Sequence, residues 1–213
     1  MTTRPAHRFV AIAYDPVMRV VDRFMLGEHR EALADGVEGR ILDLGAGTGA
    51  MFPYLADAGA ETVYAIEPDP YMRERAMARA DESQLTVHFR EGVAESLPYD
   101  DESFDTVIAA MVFCTIEDPA AAIDEIARVL RPGGELRFLE HIAADGWRGR
   151  MQRRVTPLWR RVAGGCHPHR DTGSVLLGHE AFEPVDIRRL SVGITPIRPF
   201  LFGRIKRRSG TFG

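Results

Sequence analysis

Cysteine is scarce in this chain, with only Cys114 and Cys166 among 213 residues. Two thiols make no disulfide framework, and we therefore expect a reducing compartment. Neither cysteine has metal-ligand spacing, and the local group Cys166, His167 and His169 has no fourth ligand at a suitable distance along the chain. The sequence therefore predicts no bound metal, and it predicts a substrate-pocket or packing role for these residues.

Long apolar runs are also missing from the sequence. No window approaches the roughly 18 apolar residues of a membrane-spanning helix, and no apolar core of a signal peptide follows residues 1–8. Repeats and low-complexity tracts are absent as well. A content of 45% hydrophobic and 27% charged residues is typical of a globular protein, and we expect one cytoplasmic domain.

Acidic and basic side chains are unevenly distributed along the chain. Residues 1–146 hold 27 acidic and 13 basic side chains, whereas residues 147–213 hold 4 acidic and 14 basic ones. Within the basic part, the pattern over residues 147–162 predicts an amphipathic helix. Its arginines, Arg148, Arg150, Arg153, Arg154, Arg160 and Arg161, surround the apolar Trp147, Met151, Val155, Leu158 and Trp159.

A basic amphipathic helix of this composition suits an anionic membrane surface. We therefore expect peripheral contact with the inner face of the membrane, where lipophilic substrates would enter from the bilayer. The alternative is an ordinary solvated surface helix. No recognition motif accompanies the positive charge, so the sequence does not predict nucleic-acid binding.

The most informative stretch is Ile41–Gly49, with the sequence ILDLGAGTG, in which a buried aliphatic strand runs into alternating glycines. Glycines permit a sharp turn and a close approach of the backbone to a ligand. Their spacing at Gly45, Gly47 and Gly49 differs from the G-x-G-x-x-G of dinucleotide-binding loops, which argues against a dehydrogenase. The next predicted strand ends in Glu67, whose carboxylate is placed to accept hydrogen bonds from two ribose hydroxyls. The sequence therefore predicts a nucleoside-like cofactor.

Strand and helix patterns alternate after the glycine loop. Helix starts are marked by Asp69-Pro70 and Asp118-Pro119, in which the aspartate caps the helix and the proline suits its first turn. This alternation predicts an α/β fold, a doubly wound and mostly parallel sheet with helices on both faces. The predicted strands are 41–44, 62–66, 85–90, 104–112, 135–142, 185–191 and 199–207, and a short helix is predicted over 175–182.

Four motifs follow one another between residues 40 and 142: the DLGAGTG loop, Glu67, the pair Phe104-Asp105 before an apolar strand, and the LRPGG turn ending at Gly134. Together they resemble the class I S-adenosylmethionine-dependent methyltransferases. The resemblance implies a Rossmann-like sheet with an antiparallel C-terminal edge, and S-adenosylmethionine as the cofactor.

The resemblance also implies how a single methyltransferase domain over residues 1–213 is divided. Residues 1–38 are expected to form an N-terminal helical lid, and residues 39–146 the cofactor-binding core. Residues 147–213 then supply the basic helix and the C-terminal strands.

S-adenosylmethionine needs a close backbone, a carboxylate and an apolar slot. By resemblance, Asp43 supports the loop or reaches the methionine ammonium through water, and Glu67 holds the ribose. Relatives often have an acid near Val93 for the adenine amino group, and valine leaves that contact to backbone or to Glu95. The expected cofactor-binding residues are Asp43, Gly45, Ala46, Gly47, Gly49, Glu67, Pro68, Met72, Gly92, Val93, Ala94 and Met111, with core packing as the alternative for Met72.

The fourth strand ends in Met111-Val112-Phe113-Cys114, where amine methyltransferases of other branches carry an Asn-Pro-Pro-Tyr type motif. The absence of that motif disfavours an exocyclic amine of DNA or glutamine, and the apolar side chains favour a lipophilic acceptor. Short segments resemble the alkyl-thiol S-methyltransferases and imply a thiol acceptor, namely 111–116, 140–144, 165–166, 198–199 and 202–203. The alternatives are a lipid amine, a quinone-like or phenolic hydroxyl, and a non-catalytic module that only binds S-adenosylmethionine.

Methyl transfer from a sulfonium is an in-line displacement, to which alignment contributes most. A thiol needs only partial deprotonation, and we expect His141, at the end of a strand, to act as the base. Glu140 is expected to orient that imidazole or to bind substrate, and Tyr14 to close over the donor. The alternatives are a histidine hydrogen-bonded to backbone and a tyrosine packed within its helix.

Overall fold

A computed structural model describes residues 25–162, 165–192 and 198–210, so Tyr14 and most of the expected lid lie outside the described residues. The helices are α1 Gly27–Ala34, α2 Phe52–Asp57, α3 Pro70–Glu82, α4 Pro119–Val129, α5 Gly146–Val162 and α6 Thr172–Gly178. The strands are β1 Ile41–Leu44, β2 Thr62–Ile66, β3 Thr86–Arg90, β4 Phe104–Ala110, β5 Leu130–His141, β6 Phe182–Leu190 and β7 Phe200–Arg207.

The seven strands form one sheet in the order β3-β2-β1-β4-β5-β7-β6. Strands β1 to β5 pair in parallel, whereas β7 lies antiparallel to both β5 and β6. The predicted doubly wound, mostly parallel fold with antiparallel C-terminal strands is thereby confirmed. The strand order reverses between β1 and β4, and in such sheets ligands bind outside the carboxyl ends of the strands at this point.

Strand β1 lies between β2 and β4 within the sheet, and both of its faces are covered. All four of its residues are buried, and Asp43 lies between Ala65 of β2 and Ile108 of β4. Alternate residues point to opposite faces of a strand. Accordingly, Ile41 joins one apolar core and Leu42 the other.

Two of the helices begin where the sequence predicts. Oδ1 of Asp69 accepts hydrogen bonds from the amide nitrogens of Tyr71 and Met72 at 2.9 and 3.1 Å. Oδ1 of Asp118 caps α4 in the same way, and both helices carry proline in their first turn. These caps satisfy amide groups that a helix leaves unpaired at its start.

Other boundaries differ from the prediction. Strand β5 begins at Leu130, which pairs with Phe104 ahead of an irregularity in the register. Helix α6 ends at Gly178 because Phe182 pairs with Arg207 in the sheet. Among the described helices, none combines the length and apolarity needed to cross a bilayer.

Candidate active site

Glu67 joins the two loops that follow β1 and β2. Its Oε2 atom accepts a hydrogen bond from the amide of Gly47 at 2.9 Å, and Oε1 accepts one from the amide of Asp69 at 2.8 Å. A carboxylate offers about four acceptor positions. Each oxygen therefore keeps acceptor capacity for a ribose hydroxyl while it fixes the loop.

The glycine loop is tight on one side and open on the other. A Cβ atom on Gly45 would lie 2.1 Å from Cγ2 of Val112, so only glycine fits there without displacement of that side chain. A Cβ on Gly47 would meet nothing nearer than the carbonyl oxygen of Gly45 at 3.9 Å. The open side of Gly47, next to the Glu67 carboxylate, therefore leaves the backbone accessible to a ligand.

Asp43 is an acid held inside the protein at the end of the β1 strand. Burial raises the pKa of Asp43 from 3.8 to about 7, although the nearby Arg30 guanidinium opposes the shift. Burial also raises the pKa of Glu67, against the effect of its two backbone hydrogen bonds. Arg30 belongs to α1 and is itself buried, so this helix contributes a cation next to the loop. The sequence analysis did not identify this cation.

The segment expected to bracket the adenine lies beside the end of β2. A Cβ on Gly92 would lie 3.3 Å from Cδ1 of Ile66. Val93 is partly exposed and Ala94 is buried. The Oε1 atom of Glu95 accepts hydrogen bonds from the amides that lead into α4, at 2.9 and 3.2 Å. The Glu95 side chain therefore connects this segment to the start of α4.

Three further residues expected at the cofactor lie on the same edge of the sheet. Met72 is half-buried in the first turn of α3, and Pro68 is half-buried after Glu67. Met111 follows β4 with a φ of 65°, a left-handed conformation that is rare outside glycine. Its amide donates to the carbonyl of Leu139 at 2.8 Å, which fixes the turn at the end of β4.

Glu140 fixes the segment that follows β4. It is fully buried, and its Oε1 atom accepts hydrogen bonds from the amides of Val112 and Phe113 at 2.7 and 3.0 Å. Burial raises the pKa of Glu140 to about 8, against the effect of these hydrogen bonds. The sequence analysis missed this support of the segment after β4, since the partners lie 27 and 28 residues apart.

His141 lies beside both cysteines. Its side-chain nitrogen and the sulfur atoms of Cys114 and Cys166 all lie within 4.8 Å of one another, and all three residues are buried. The Cys114 thiol donates to the carbonyl of Met111 at 3.6 Å, and the interaction between the two thiols raises the pKa of Cys114 and lowers that of Cys166. The other two histidines of the local group have separate contacts. His167 approaches the carbonyl of Cys114, and His169 approaches the hydroxyl of Thr156.

Arg170 connects the two segments that carry the cysteines. Its Nη1 atom donates to the carbonyls of Phe113 and Ile116 at 2.8 and 2.5 Å. The amide of His167 donates to the carbonyl of Cys114 at 2.8 Å. No local sequence motif predicts these contacts, because Arg170 lies more than 50 residues after its partners.

Comparisons with known proteins identify relatives of this chain. Residues 42–138 match the family model described as a methyltransferase domain. An uncharacterized protein of Mycobacterium tuberculosis is 36% identical over 143 residues, which are 67% of this chain and 50% of that protein. The chain thus spans about half the length of the curated relatives of this group. The human thiol S-methyltransferase TMT1B is 29% identical over 178 residues, covering 79% of this chain and 72% of its own.

Solved structures share the fold. An S-adenosylmethionine-dependent methyltransferase of Thermotoga maritima, described as a possible histamine N-methyltransferase, superposes with a TM-score of 0.67 at 22% identity. The match covers 95% of this chain and 99% of that one. At this identity the likeness concerns the fold alone.

Proposed function

The chain belongs to the class I S-adenosylmethionine-dependent methyltransferases, and from this premise we propose that it methylates the sulfur of a small lipophilic thiol. The observation that carries the choice of acceptor is the similarity to the thiol S-methyltransferase TMT1B, which extends over 79% of the chain. That span includes more than the cofactor-binding core. The largely apolar end of β4 supports the same choice.

The loops after β1 and β2 would hold the donor. Glu67 accepts hydrogen bonds from the ribose hydroxyls, and the open side of Gly47 lets the backbone approach. The buried Asp43 and the buried Arg30 would lie at the methionine end. When bound, S-adenosylmethionine supplies a methyl group activated by the positive charge on its sulfur.

The end of β4 would position the acceptor. Phe113 is fully buried, and Val112 lies directly over Gly45. Because charge is neutralised during methyl transfer to a thiolate, an apolar surrounding favours the reaction, and alignment contributes most of the acceleration. The hydrogen bonds from Glu140 hold this segment in place. His141, also at this end of the sheet, is the base that the sequence predicts for removal of the thiol proton.

A panel of acceptors with the same alkyl chain tests the proposal. We expect the purified chain, given methyl-labelled S-adenosylmethionine, to label hexanethiol and to release S-adenosylhomocysteine, and to leave hexylamine and 4-hexylphenol unlabelled. Labelling of the amine or the phenol without the thiol would overturn the choice of acceptor. Donor binding without any S-adenosylhomocysteine would favour the non-catalytic module.

We also propose that α5 rests on an anionic membrane at the inner face. The side of α5 that faces the protein is polar, since Gln152 and Thr156 are buried. Its outer side carries large apolar groups, with Trp147 and Leu158 exposed by 59% and 67%. In a helix, residues 147, 151, 154 and 158 fall on one stripe. One member of this stripe, Arg154, and the arginines beside it would meet the anionic headgroups, as expected for a helix that lies in a lipid interface.

Vesicle sedimentation tests this contact. The chain should bind vesicles of phosphatidylcholine with phosphatidylglycerol, and salt should weaken the binding because the attraction is electrostatic. The double variant Trp147→Ala, Leu158→Ala should lose most of it, whereas Val185→Ala, an exposed apolar residue of β6, should not. Equal binding by the double variant, or none by the wild type, would refute the contact.

A further inference from the structure

Three buried side chains with metal-binding atoms meet at the acceptor end of the sheet. Cys114 follows β4, His141 ends β5, and Cys166 lies in the segment before α6. Their exposed fractions are only 2%, 3% and 6%. One nitrogen and two sulfur atoms lie within 4.8 Å of one another. We refer to these three residues as the Cys–His–Cys cluster.

The backbone around the Cys–His–Cys cluster is held on several sides. The amide of His167 donates to the carbonyl of Cys114 at 2.8 Å, and the amide of Ala143 donates to the carbonyl of Arg170 at 3.1 Å. Arg170 also donates to two carbonyls on either side of Cys114. These bonds connect the segments that carry the two sulfur atoms with the end of β5. The three ligand-type atoms are therefore brought together by a fixed scaffold.

A carboxylate oxygen beside the Cys–His–Cys cluster adds an independent observation. Oε2 of Glu140 is buried and has no hydrogen-bond partner in the described part of the chain. Its carboxylate is close enough to Cys166 for their charges to interact. Buried polar atoms are nearly always paired, and an unpaired one can indicate a bound ion or water. A cation in the cluster would provide the compensating charge.

The donor set specifies the kind of cation. Thiolate and imidazole ligands suit zinc, whereas magnesium and calcium require oxygen ligands. Bond lengths of about 2.3 Å to sulfur and 2.0 Å to nitrogen place the ligands of a tetrahedral zinc roughly 3.8 Å or less apart. Atoms already within 4.8 Å need only a small inward movement to reach this arrangement. Three protein ligands leave the fourth position open, as in catalytic zinc sites.

The Cys–His–Cys cluster adjoins the donor loop. Val112, two residues before Cys114, lies so near the loop that a Cβ on Gly45 would come within 2.1 Å of it. Glu140, which precedes His141 in the chain, accepts a hydrogen bond from the amide of Val112 at 2.7 Å. A ligand in the open position of the cluster would therefore lie at the acceptor side of the site.

We propose that Cys114, His141 and Cys166 bind one zinc ion whose open position takes the acceptor thiol as a thiolate. This rests on the proposed thiol methylation. The S–H bond of the acceptor breaks, its proton leaves to water, and the sulfur binds zinc. The lone pair of that sulfur then forms the bond to the methyl carbon, while the electron pair of the broken methyl–sulfonium bond remains on the donor sulfur. Two neutral thioethers result, and the product thioether leaves the zinc.

A zinc-bound His141 does not act as the base predicted from the sequence, because its ligating nitrogen has no free lone pair. The zinc ion lowers the pKa of the bound thiol and takes over that role. The sequence analysis predicts no metal because the two cysteines are 52 residues apart. Only the fold brings them together.

Cobalt binding tests the site independently of activity. The full chain is stripped of metal under reducing conditions and titrated with Co²⁺, whose thiolate charge-transfer absorption reports sulfur ligands. We expect saturation at one equivalent, displacement by Zn²⁺, and a changed spectrum when hexanethiol is added. Cys114→Ser and Cys166→Ser should lose at least tenfold in affinity for Co²⁺, whereas the control His169→Ala should bind like the wild type. Binding of S-adenosylhomocysteine by each variant verifies that it is folded.

The possible results separate this proposal from the proposed function. No absorption with the wild type, or equal absorption with Cys166→Ser, would overturn the zinc site. Undiminished thiol methylation by the metal-free protein would overturn the role of zinc and leave thiol methylation intact. Cobalt binding without a response to hexanethiol, in a chain that methylates only the phenol or the amine, would overturn the proposed acceptor and the acceptor role of the metal together.

Discussion

Asp43 shows how one side chain can link stability to the site. It is a buried acid in strand β1, and the positive charge of Arg30 does not outweigh the loss of water around it. The group therefore stays protonated to about pH 7 in the folded chain. Strongly shifted pKa values of buried acids are typical of functional sites.

The titration of Asp43 predicts how stability depends on pH. Its pKa is raised on folding from 3.8 to about 7, so its contribution to stability is complete below pH 3.8 and is lost as pH rises to about 7. Between pH 5 and pH 7.5, the wild type should therefore lose free energy of unfolding through this group, whereas Asp43→Asn has no such group to titrate. The decrease should be larger in the wild type by a few kcal/mol. Urea unfolding at the two pH values measures this difference. Identical pH dependence in the two proteins would contradict the assignment, and Glu61→Gln, an exposed acid, is the control.

Gly45 and Gly47 form a matched pair in the loop between β1 and α2. Gly45→Ala should unfold at a lower temperature, with a loss of about 2–5 kcal/mol, because its Cβ overlaps Val112 and its φ of 65° is also positive. Gly47→Ala should cost only about 1–2 kcal/mol for its positive φ of 57°, yet lose at least tenfold in affinity for S-adenosylhomocysteine. Thermal melts and calorimetry separate the two effects. Normal donor affinity in Gly47→Ala would exclude the open side of the loop as the donor site.

Arg137 connects α1 to the sheet. From β5 it donates to the carbonyls of Leu33, Asp35 and Gly36 at 3.1, 2.5 and 3.2 Å. Arg137→Ala leaves these carbonyls without their partner in a buried place, and we expect it to destabilise the fold by about 3 kcal/mol.

Chemical denaturation measures this loss, with Arg188→Ala as the control. The Arg188 side chain is 65% exposed, and surface ion pairs contribute only about 0–1 kcal/mol. Equal stability of the two variants would show that Arg137 does not hold α1.

The caps of α3 and α4 could be predicted because their signals are local. In both helices, the aspartate lies within three residues of the amides that its side chain caps, and the proline follows it directly. The end of α6 could not be predicted in this way. Phe182 fits a helical pattern, but it is taken into the sheet by pairing with Arg207, a residue 25 positions later.

In the molecule as a whole, features that depend on neighbouring residues could likewise be predicted from the sequence, and features that depend on contacts between distant residues could not. The donor side, from the glycine loop to Glu67, could be predicted because a strand, a tight loop and an acid follow one another within 27 residues of sequence. The acceptor side could not. Its contacts among Cys114, Glu140, Cys166 and Arg170 join the segment after β4, the end of β5 and the segment before α6, and no spacing in the sequence specifies them.

Calorimetric titration of the full chain with S-adenosylhomocysteine tests the central claim most directly, which is that the loops after β1 and β2 bind the methyl donor. The wild type and Glu61→Gln should bind one equivalent with equal affinity. Glu67→Gln should bind at least tenfold more weakly, because one carboxylate oxygen, which accepts a hydrogen bond from a backbone amide and is proposed to accept one from a ribose hydroxyl, is replaced by an NH₂ group. No heat with the wild type, or unchanged affinity in Glu67→Gln, would contradict the account.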